Sequence, residues 1–152
     1  MREDAQQVSS WLSFRLGASR HALPLGQVQE VVELAVLTRL PQAPPAVLGV
    51  LDLRGTPLVV LDLGLKLGAG ATRTTRFSCV VVVEWAGGQV GLLVERVEGL
   101  IEVGAGEIVA CAEPGILGEV TVSGMTLRLL DLGAALALGG PPAPGCAQGI
   151  DP

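Results

Sequence analysis

The stretch Gly55-Thr56-Pro57-Leu58-Val59-Val60-Leu61-Asp62-Leu63-Gly64 returns later in the chain as Gly124-Met125-Thr126-Leu127-Arg128-Leu129-Leu130-Asp131-Leu132-Gly133. At a shift of 69 positions, the offset from Gly55 to Gly124, Pro45 also falls on Pro114, Leu48 on Leu117 and Gly49 on Gly118. Upstream, Leu23 meets Leu92, Val28 meets Val97, and Val31-Val32 meet Leu100-Ile101. A chain rich in Leu and Gly gives scattered matches by chance. It does not easily place Pro, Gly and Asp in one ungapped register over its whole length. The sequence is two tandem half-domains of like fold.

Each half reads as short strands separated by turn residues. Trp11–Leu16 and Arg20–Leu25 flank Gly17-Ala18-Ser19, a hairpin signature. Val28–Leu34 continues as a strand, and Pro41, Pro44 and Pro45 mark a loop because proline cannot donate to a ladder. Val47–Leu53 and Pro57–Leu61 surround a turn at Arg54-Gly55. In the second half, Ser78–Trp85, Gln89–Glu95 and Val97–Val103 repeat the scheme, and Val120–Val122 and Thr126–Leu130 surround Ser123-Gly124. Asp62 and Asp131 each stand between a strand and a Leu/Ala segment, where a carboxylate can accept from free amides and cap a helix start.

Five short strands per half predict an all-β fold of two tandem five-stranded barrels, with short helical turns after strands. Neither half buries enough alone, so the two should share a hydrophobic core. Leu25, Val28, Leu48, Val50, Leu58, Val60, Val82, Leu92, Leu127 and Leu129 are the expected interior or seam residues, taken from the two-residue alternation of strands. The domain is read as 10–138, with the first barrel mainly 15–68, the second mainly 78–138, strand exchange allowed at the ends, and 139–152 as a flexible Gly/Pro-rich tail. Gly68-Ala69-Gly70-Ala71-Thr72 reads as a flexible connection between the halves.

The 152 residues are 49% hydrophobic and 16% charged, with two Trp, two Phe and no Tyr, so the core is aliphatic. Net charge is −5, which works against binding a phosphate backbone. Met1–Val8 is polar where a signal peptide needs an apolar stretch, and no apolar run reaches membrane-spanning length, so a cytoplasmic location without membrane insertion is expected. Cys79, Cys111 and Cys146 form no metal-ligand pair and no disulfide framework, and read as reduced thiols.

Site chemistry is sparse. His21 is the single histidine, has no nucleophile motif beside it, and reads as a solvent-facing strand residue. The Gly68–Thr72 segment lacks the Gly-Lys-Ser/Thr ending of a phosphate loop. Glu95 and Glu98 read as a solvated edge, and no acidic or histidine cluster has metal spacing. No catalytic residue, metal or cofactor is expected. Arg54, in a tight turn after an apolar strand, and Glu30, within Val28-Gln29-Glu30-Val31-Val32, are charges among apolar neighbours. They either pair at the rim of the seam or stand as an unrelated exposed arginine and edge glutamate.

Phe14-Arg15-Leu16-Gly17, Ala22-Leu23-Pro24-Leu25, Val28-Gln29-Glu30-Val31-Val32, Leu48-Gly49-Val50-Leu51-Asp52-Leu53-Arg54-Gly55, Val60-Leu61-Asp62-Leu63 and Val90-Gly91-Leu92-Leu93-Val94-Glu95-Arg96-Val97 together resemble the CheW-like domain of bacterial chemosensory systems. The likeness runs from Ser10 to Leu138 in the family's order. It implies two barrels similar to SH3 domains and a non-catalytic coupling protein in chemosensory clusters. Its implied partners are the cytoplasmic hairpin tips of methyl-accepting chemoreceptors and the regulatory domain of a histidine kinase. Carried across, Val28, Glu30, Val31 and Arg54 match the family's receptor groove with its Glu–Arg pair, and Leu92 and Val94 are the second half's contribution. An apolar stripe receiving a helix is also the expected physics of helix-in-groove recognition.

Two departures from the family pattern bear on function. Asp52 replaces the usual Asn before Leu-Arg-Gly, setting a carboxylate to compete with Glu30 for Arg54. The stretch Cys111–Gly118 is short before the strand read at Glu119–Val122, which puts kinase binding in doubt and resembles a divergent accessory coupling protein. The alternative from another class is a nucleic-acid-binding pair of small barrels, disfavoured by the acidic charge and the scarcity of stacking aromatics.

Overall fold

The computed structural model describes residues 7–138, so the tail, Cys146 included, lies outside the described residues. Eleven strands run in the order β1 (Val8–Leu16), β2 (Ser19–Pro24), β3 (Val28–Glu33), β4 (Val47–Leu53), β5 (Thr56–Asp62), β6 (Cys79–Trp85), β7 (Gly88–Val94), β8 (Arg96–Gly104), β9 (Val109–Ala110), β10 (Ile116–Val122) and β11 (Met125–Leu130). Helix α1 (Leu63–Lys66) follows β5 and α2 (Leu132–Ala137) follows β11. Three of the hairpins close through two-residue loops in which both residues have positive φ: Arg54-Gly55, Ala86-Gly87 and Ser123-Gly124. That is the loop whose twist suits paired strands. Arg54 and Ser123 occupy the same place in the repeat and both carry the strain of a side chain in that conformation.

The strands form two sheets, ordered β8-β1-β2-β11-β10-β9 and β3-β6-β7-β5-β4. Against the reading of barrels mainly at 15–68 and 78–138 with exchange at the ends, whole hairpins cross between the halves. Each half donates its leading hairpin to the other half's sheet, so β1-β2 joins β8–β11 and β6-β7 joins β3–β5. The exchange is sealed by two parallel pairings, Val60 opposite Gly91 and Leu129 opposite Ala22. These pairings are the same contact under the 69-residue shift. Gly91 is required there, since a Cβ would meet Val80 Cγ1 at 2.6 Å and Leu58 Cδ2 at 3.0 Å.

Exchange builds three cores. The seam holds Leu12, Phe14, Leu16 and Leu23 from one sheet against Leu61, Val81, Val83, Val90, Leu92 and Val94 from the other. Leu51, Leu53, Leu58, Val60, Val80, Val82 and Leu93 fill the five-stranded subdomain. Trp11, Ala22, Val103, Val120, Leu127 and Leu129 fill the six-stranded one. The run Val80–Val83 thus sends alternate residues into the seam and a subdomain interior. A strand buried on both faces reads as continuous hydrophobic sequence.

Of the expected interior residues, Leu58, Val60, Val82, Leu92, Leu127 and Leu129 are buried, and Leu25, Val28, Leu48 and Val50 are only partly so. In β4 the inward face is Gly49, Leu51 and Leu53, one residue out of step with Leu48 and Val50. A register shift between Val47 and Gly49 reverses the alternation there.

Asp62 and Asp131 cap their helices as the sequence indicates, accepting from Leu65 N at 3.2 Å and from Ala134 N at 3.3 Å. Asp62 does more. Its buried carboxylate also takes Thr72 N, at 3.1 and 3.0 Å to its two oxygens, and Thr72 Oγ1 at 2.5 Å. Ala69 N donates to Gly64 O at 2.8 Å. The glycine-rich segment is therefore fastened to the first half, contrary to its reading as a flexible connection.

Candidate functional site

Edge strand β3 pairs with β6 through a register shift between Val28 and Glu30. Val28 lies opposite Val83, Glu30 opposite Val82 and Val31 opposite Val81. The extra residue lets Val28 and Val31 share the seam face with Val81 and Val83, while Glu30 turns to the other face with Val82. Val28 is half-buried against the seam core, and Val31 is 40% exposed. A short apolar stripe thus emerges from the seam at the edge of the sheet.

Arg54 lies at the tip of the β4–β5 hairpin. Its Nη2 donates to Glu30 Oε2 at 2.5 Å. The hydrogen bond to Glu30, and then the charge of Glu30, raise the Arg54 pKa above its usual value. The pair bridges a turn and an edge strand that share no ladder. Asp52 does not compete for Arg54, as its sequence position suggests. Its Oδ1 accepts from Gly55 N at 2.7 Å and braces the turn that presents Arg54.

Leu92 and Val94 are corrected as site residues. Both have zero exposure inside the seam core. They share the face of Val28 and Val31, because Leu92 lies opposite Val81 and Val94 opposite Cys79. Their side chains are the packed layer behind the stripe and meet no partner unless the seam opens.

Other sequence readings resolve differently. His21 is 3% exposed, stacked on Phe14 at a centroid distance of 5.9 Å, and faces inward. Burial, with Arg128 nearby, lowers its pKa to about 4 against a smaller opposing effect of Glu113. Its Nδ1 has no hydrogen-bond partner. A lone histidine amid apolar strands gives no sequence signal for which face it occupies. Glu95 is half-buried and Glu98 exposed, and both are paired. Glu95 pairs with Arg73 at 3.4 Å and accepts from Gly17 N at 2.9 Å, while Glu98 pairs with Arg20 at 3.1 Å.

The shortened stretch is tighter than a loop. β10 begins at Ile116, β9 pairs with it at Ala110–Gly118, and only Cys111–Gly115 connects them. Glu113 within that connection pairs with Arg128 of β11. Among the described residues no group of three His, Cys, Asp or Glu could hold a metal ion, and no helix is long and apolar enough to cross a membrane.

Comparison with known proteins adds a family to this geometry. The CheW-like domain model matches residues 10–136. The chain is 29% identical to the chemotaxis protein CheW of Helicobacter pylori over 102 residues, 67% of this chain and 62% of that protein. It is 33% identical to a chemotaxis protein CheW of Rhizobium meliloti, covering 59% of that protein, so the match spans about three fifths of these two relatives. Protein FrzA of Myxococcus xanthus is 30% identical over 126 residues, 79% of each chain. The crystal structure of the scaffolding protein TtCheW from Thermoanaerobacter tengcongensis superposes with a TM-score of 0.80 at 23% identity, over 88% of this chain and 91% of that one. That match shows the fold, two SH3-like subdomains. By its sequence and its architecture together, the chain belongs to the CheW-like domain family.

Proposed function

We propose that this protein is a non-catalytic adaptor of a bacterial chemosensory array, and that it seats the helical cytoplasmic tip of a chemoreceptor on the stripe of Val28 and Val31 beside the Glu30–Arg54 pair. The observation that carries the reading is that pair. It locks the β4–β5 hairpin against edge strand β3, whose seam face carries the half-buried Val28 and the exposed Val31. An apolar strip with a charged rim is what an amphipathic helix needs: apolar anchors for affinity and a charge to fix register. The relatives named for chemotaxis support the setting. The protein would work in the cytoplasm, within chemosensory clusters.

Direct binding to the histidine kinase regulatory domain is proposed to be weak or lost, because the connection before β10 is only Cys111–Gly115. The test of the main reading is titration of a purified receptor hairpin fragment into the full chain. Saturable binding that Arg54→Glu weakens supports it. Binding that is unchanged in a folded Arg54→Glu protein refutes this site.

A further inference from the structure

On the six-stranded sheet the structure places three arginines side by side. Arg15 of β1 lies directly opposite Arg20 of β2 and directly opposite Arg96 of β8. Residues opposite one another in antiparallel strands share a face with their Cβ atoms about 5 Å apart, and like charges so placed repel. A fold tolerates such a conflict chiefly where a function uses it.

The neighbourhood extends the row. Arg96 lies over the ring of Phe77 at 4.6 Å from its centroid, and Arg76 lies over the same ring at 5.0 Å. Phe77 is 47% exposed although large and apolar. Beside Arg15 opens a cleft of about 390 Å³, lined by Arg15, Gly17, Ala18, Gly70, Arg73 and Glu95 among others.

Five guanidiniums therefore meet two carboxylates. Arg20 is paired with Glu98 and Arg73 with Glu95. Arg15, Arg76 and Arg96 have no carboxylate within ion-pair reach among the described residues. Arg15 Nε is moreover buried without an acceptor. That nitrogen is closed to any ligand, so the donor Arg15 offers toward the cleft is Nη2, which gives one hydrogen bond to Gly17 O at 3.3 Å and has a second N–H to give. All this sits in a chain of net charge −5, where a cationic patch stands against the overall charge.

We propose that this arginine row, with its cleft and the Phe77 clasp, is a second docking site, on the sheet opposite to the Arg54 stripe, for an acidic segment of a partner protein. One Asp or Glu carboxylate of that segment enters the cleft and accepts from Arg15. Neighbouring acidic residues meet Arg96 and Arg76. The chemistry favours a short peptide segment over larger polyanions. The ring of Phe77 is engaged by two guanidiniums, which compete with a base for its π surface. Glu95 lines the cleft and is held by Arg73, and a flexible segment sets its carboxylates around that charge where a flat anionic surface meets it. At physiological salt, charges act over about 8 Å, so such a segment senses the patch and little of the acidic remainder.

The test uses a fluorescein-labelled, end-blocked hexaglutamate as probe, full-length protein, and anisotropy at low and physiological salt. Binding that falls with salt is expected, weakened about tenfold in Arg96→Gln and in Arg15→Gln and left unchanged in Arg54→Glu. Amide shifts on the unsubstituted protein, which need no variant to fold, should move at Gly17, Phe77 and Arg96 when hexaglutamate is added. No shifts there, or equal binding by folded Arg15→Gln and Arg96→Gln, would overturn the proposal. Arginine-dependent binding to phosphatidylserine vesicles or to an oligonucleotide, in preference to hexaglutamate, would also overturn it by naming a different occupant.

Discussion

Arg54 and Glu30, 24 residues apart in sequence, are joined at 2.5 Å across a gap that no backbone ladder spans. Arg54 holds φ at +50°, a conformation that disfavours a side chain by about 1 kcal/mol. Glycine or asparagine would serve the turn better. The chain keeps an arginine there and braces it from below with Asp52 on Gly55 N. Its side chain is 68% exposed, so an ion pair of this kind adds little to folding. What it places is a charge at a fixed point on the face of β3 opposite to Val31.

The first prediction follows. Arg54→Asn keeps a residue suited to the turn and removes the charge, while Arg54→Glu reverses it. Both should melt within a few degrees of the parent, and both should weaken binding of a receptor hairpin fragment, the reversal more strongly. Calorimetry paired with titration checks this, and a large fall in melting temperature would mean that the arginine serves the fold.

Val31 and Leu92 separate surface from interior. Leu92→Ala should cost about 2–5 kcal/mol of stability through lost burial and cavity formation. Val31→Lys should leave stability within about 0.5 kcal/mol and reduce receptor binding. Denaturant melts of the two variants give the comparison. A marginal Leu92→Ala effect would return that residue to the groove.

How much of this was legible in the sequence depends on which force set each feature. The repeat and the turn glycines fixed where strands start and stop, because backbone chemistry acts locally. The caps at Asp62 and Asp131 were readable for the same reason. The sequence allowed exchange at the ends but did not show that whole hairpins cross, since a repeat is equally compatible with each hairpin staying home or crossing over. Leu92 was readable as interior, but its place behind the stripe and the burial of Val94 were hidden by β7 being apolar on both faces, where alternation carries no signal. Glu30 with Arg54 could be read only as two charges among apolar residues. Their contact needed the bulge after Val28 to turn Glu30 toward the hairpin tip. The arginine row left no trace in the linear pattern, because Arg15, Arg20 and Arg96 meet only through register.

The two caps allow an internal comparison. Asp131 is exposed and makes the single bond to Ala134 N, so Asp131→Ala should cost about 1 kcal/mol. Asp62 is 2% exposed and holds Leu65 and Thr72 together, so Asp62→Ala should cost about 2–4 kcal/mol. It should also raise hydrogen exchange at Thr72 N. Equal costs in urea melts would show that the fastening of the 67–72 segment contributes nothing.

His21 makes stability depend on pH. Its folded pKa, about 4, lies below the ordinary 6.5, so between these values the unfolded chain binds the proton and the folded chain does not. Stability should therefore fall as pH drops from about 6.5 to about 4, by about 3 kcal/mol in all, and this contribution should level off below that. His21→Leu should flatten that part of the profile. A parallel slope in both proteins would assign the pH dependence to the carboxylates.

The last prediction concerns the kinase. In the function proposed here the receptor docks on the five-stranded sheet and the kinase elsewhere, so one can be lost while the other stays. At the proposed receptor site Glu30 and Arg54 are paired and the turn that carries Arg54 is braced. On the six-stranded sheet the connection into β10 is cut to Cys111–Gly115, with Ile116 N bonded back to Glu113 O at 3.2 Å and Glu113 held by Arg128. A turn closed this tightly projects little from the surface. Interfaces rest on a few well-placed anchors, so a contact loop reduced to a turn removes most of the affinity it would supply. The competing account is that this loop varies in length without touching anything, as surface loops do. Titrating the full chain separately with a receptor hairpin fragment and with a kinase regulatory domain distinguishes the two. The expected result is saturable binding to the first and at least about tenfold weaker binding to the second. Lengthening the turn by a family-length insertion between Glu113 and Pro114 should then restore kinase binding without changing the receptor titration. Ordinary micromolar binding to the kinase domain by the unmodified chain would refute the loss and restore the bridging role.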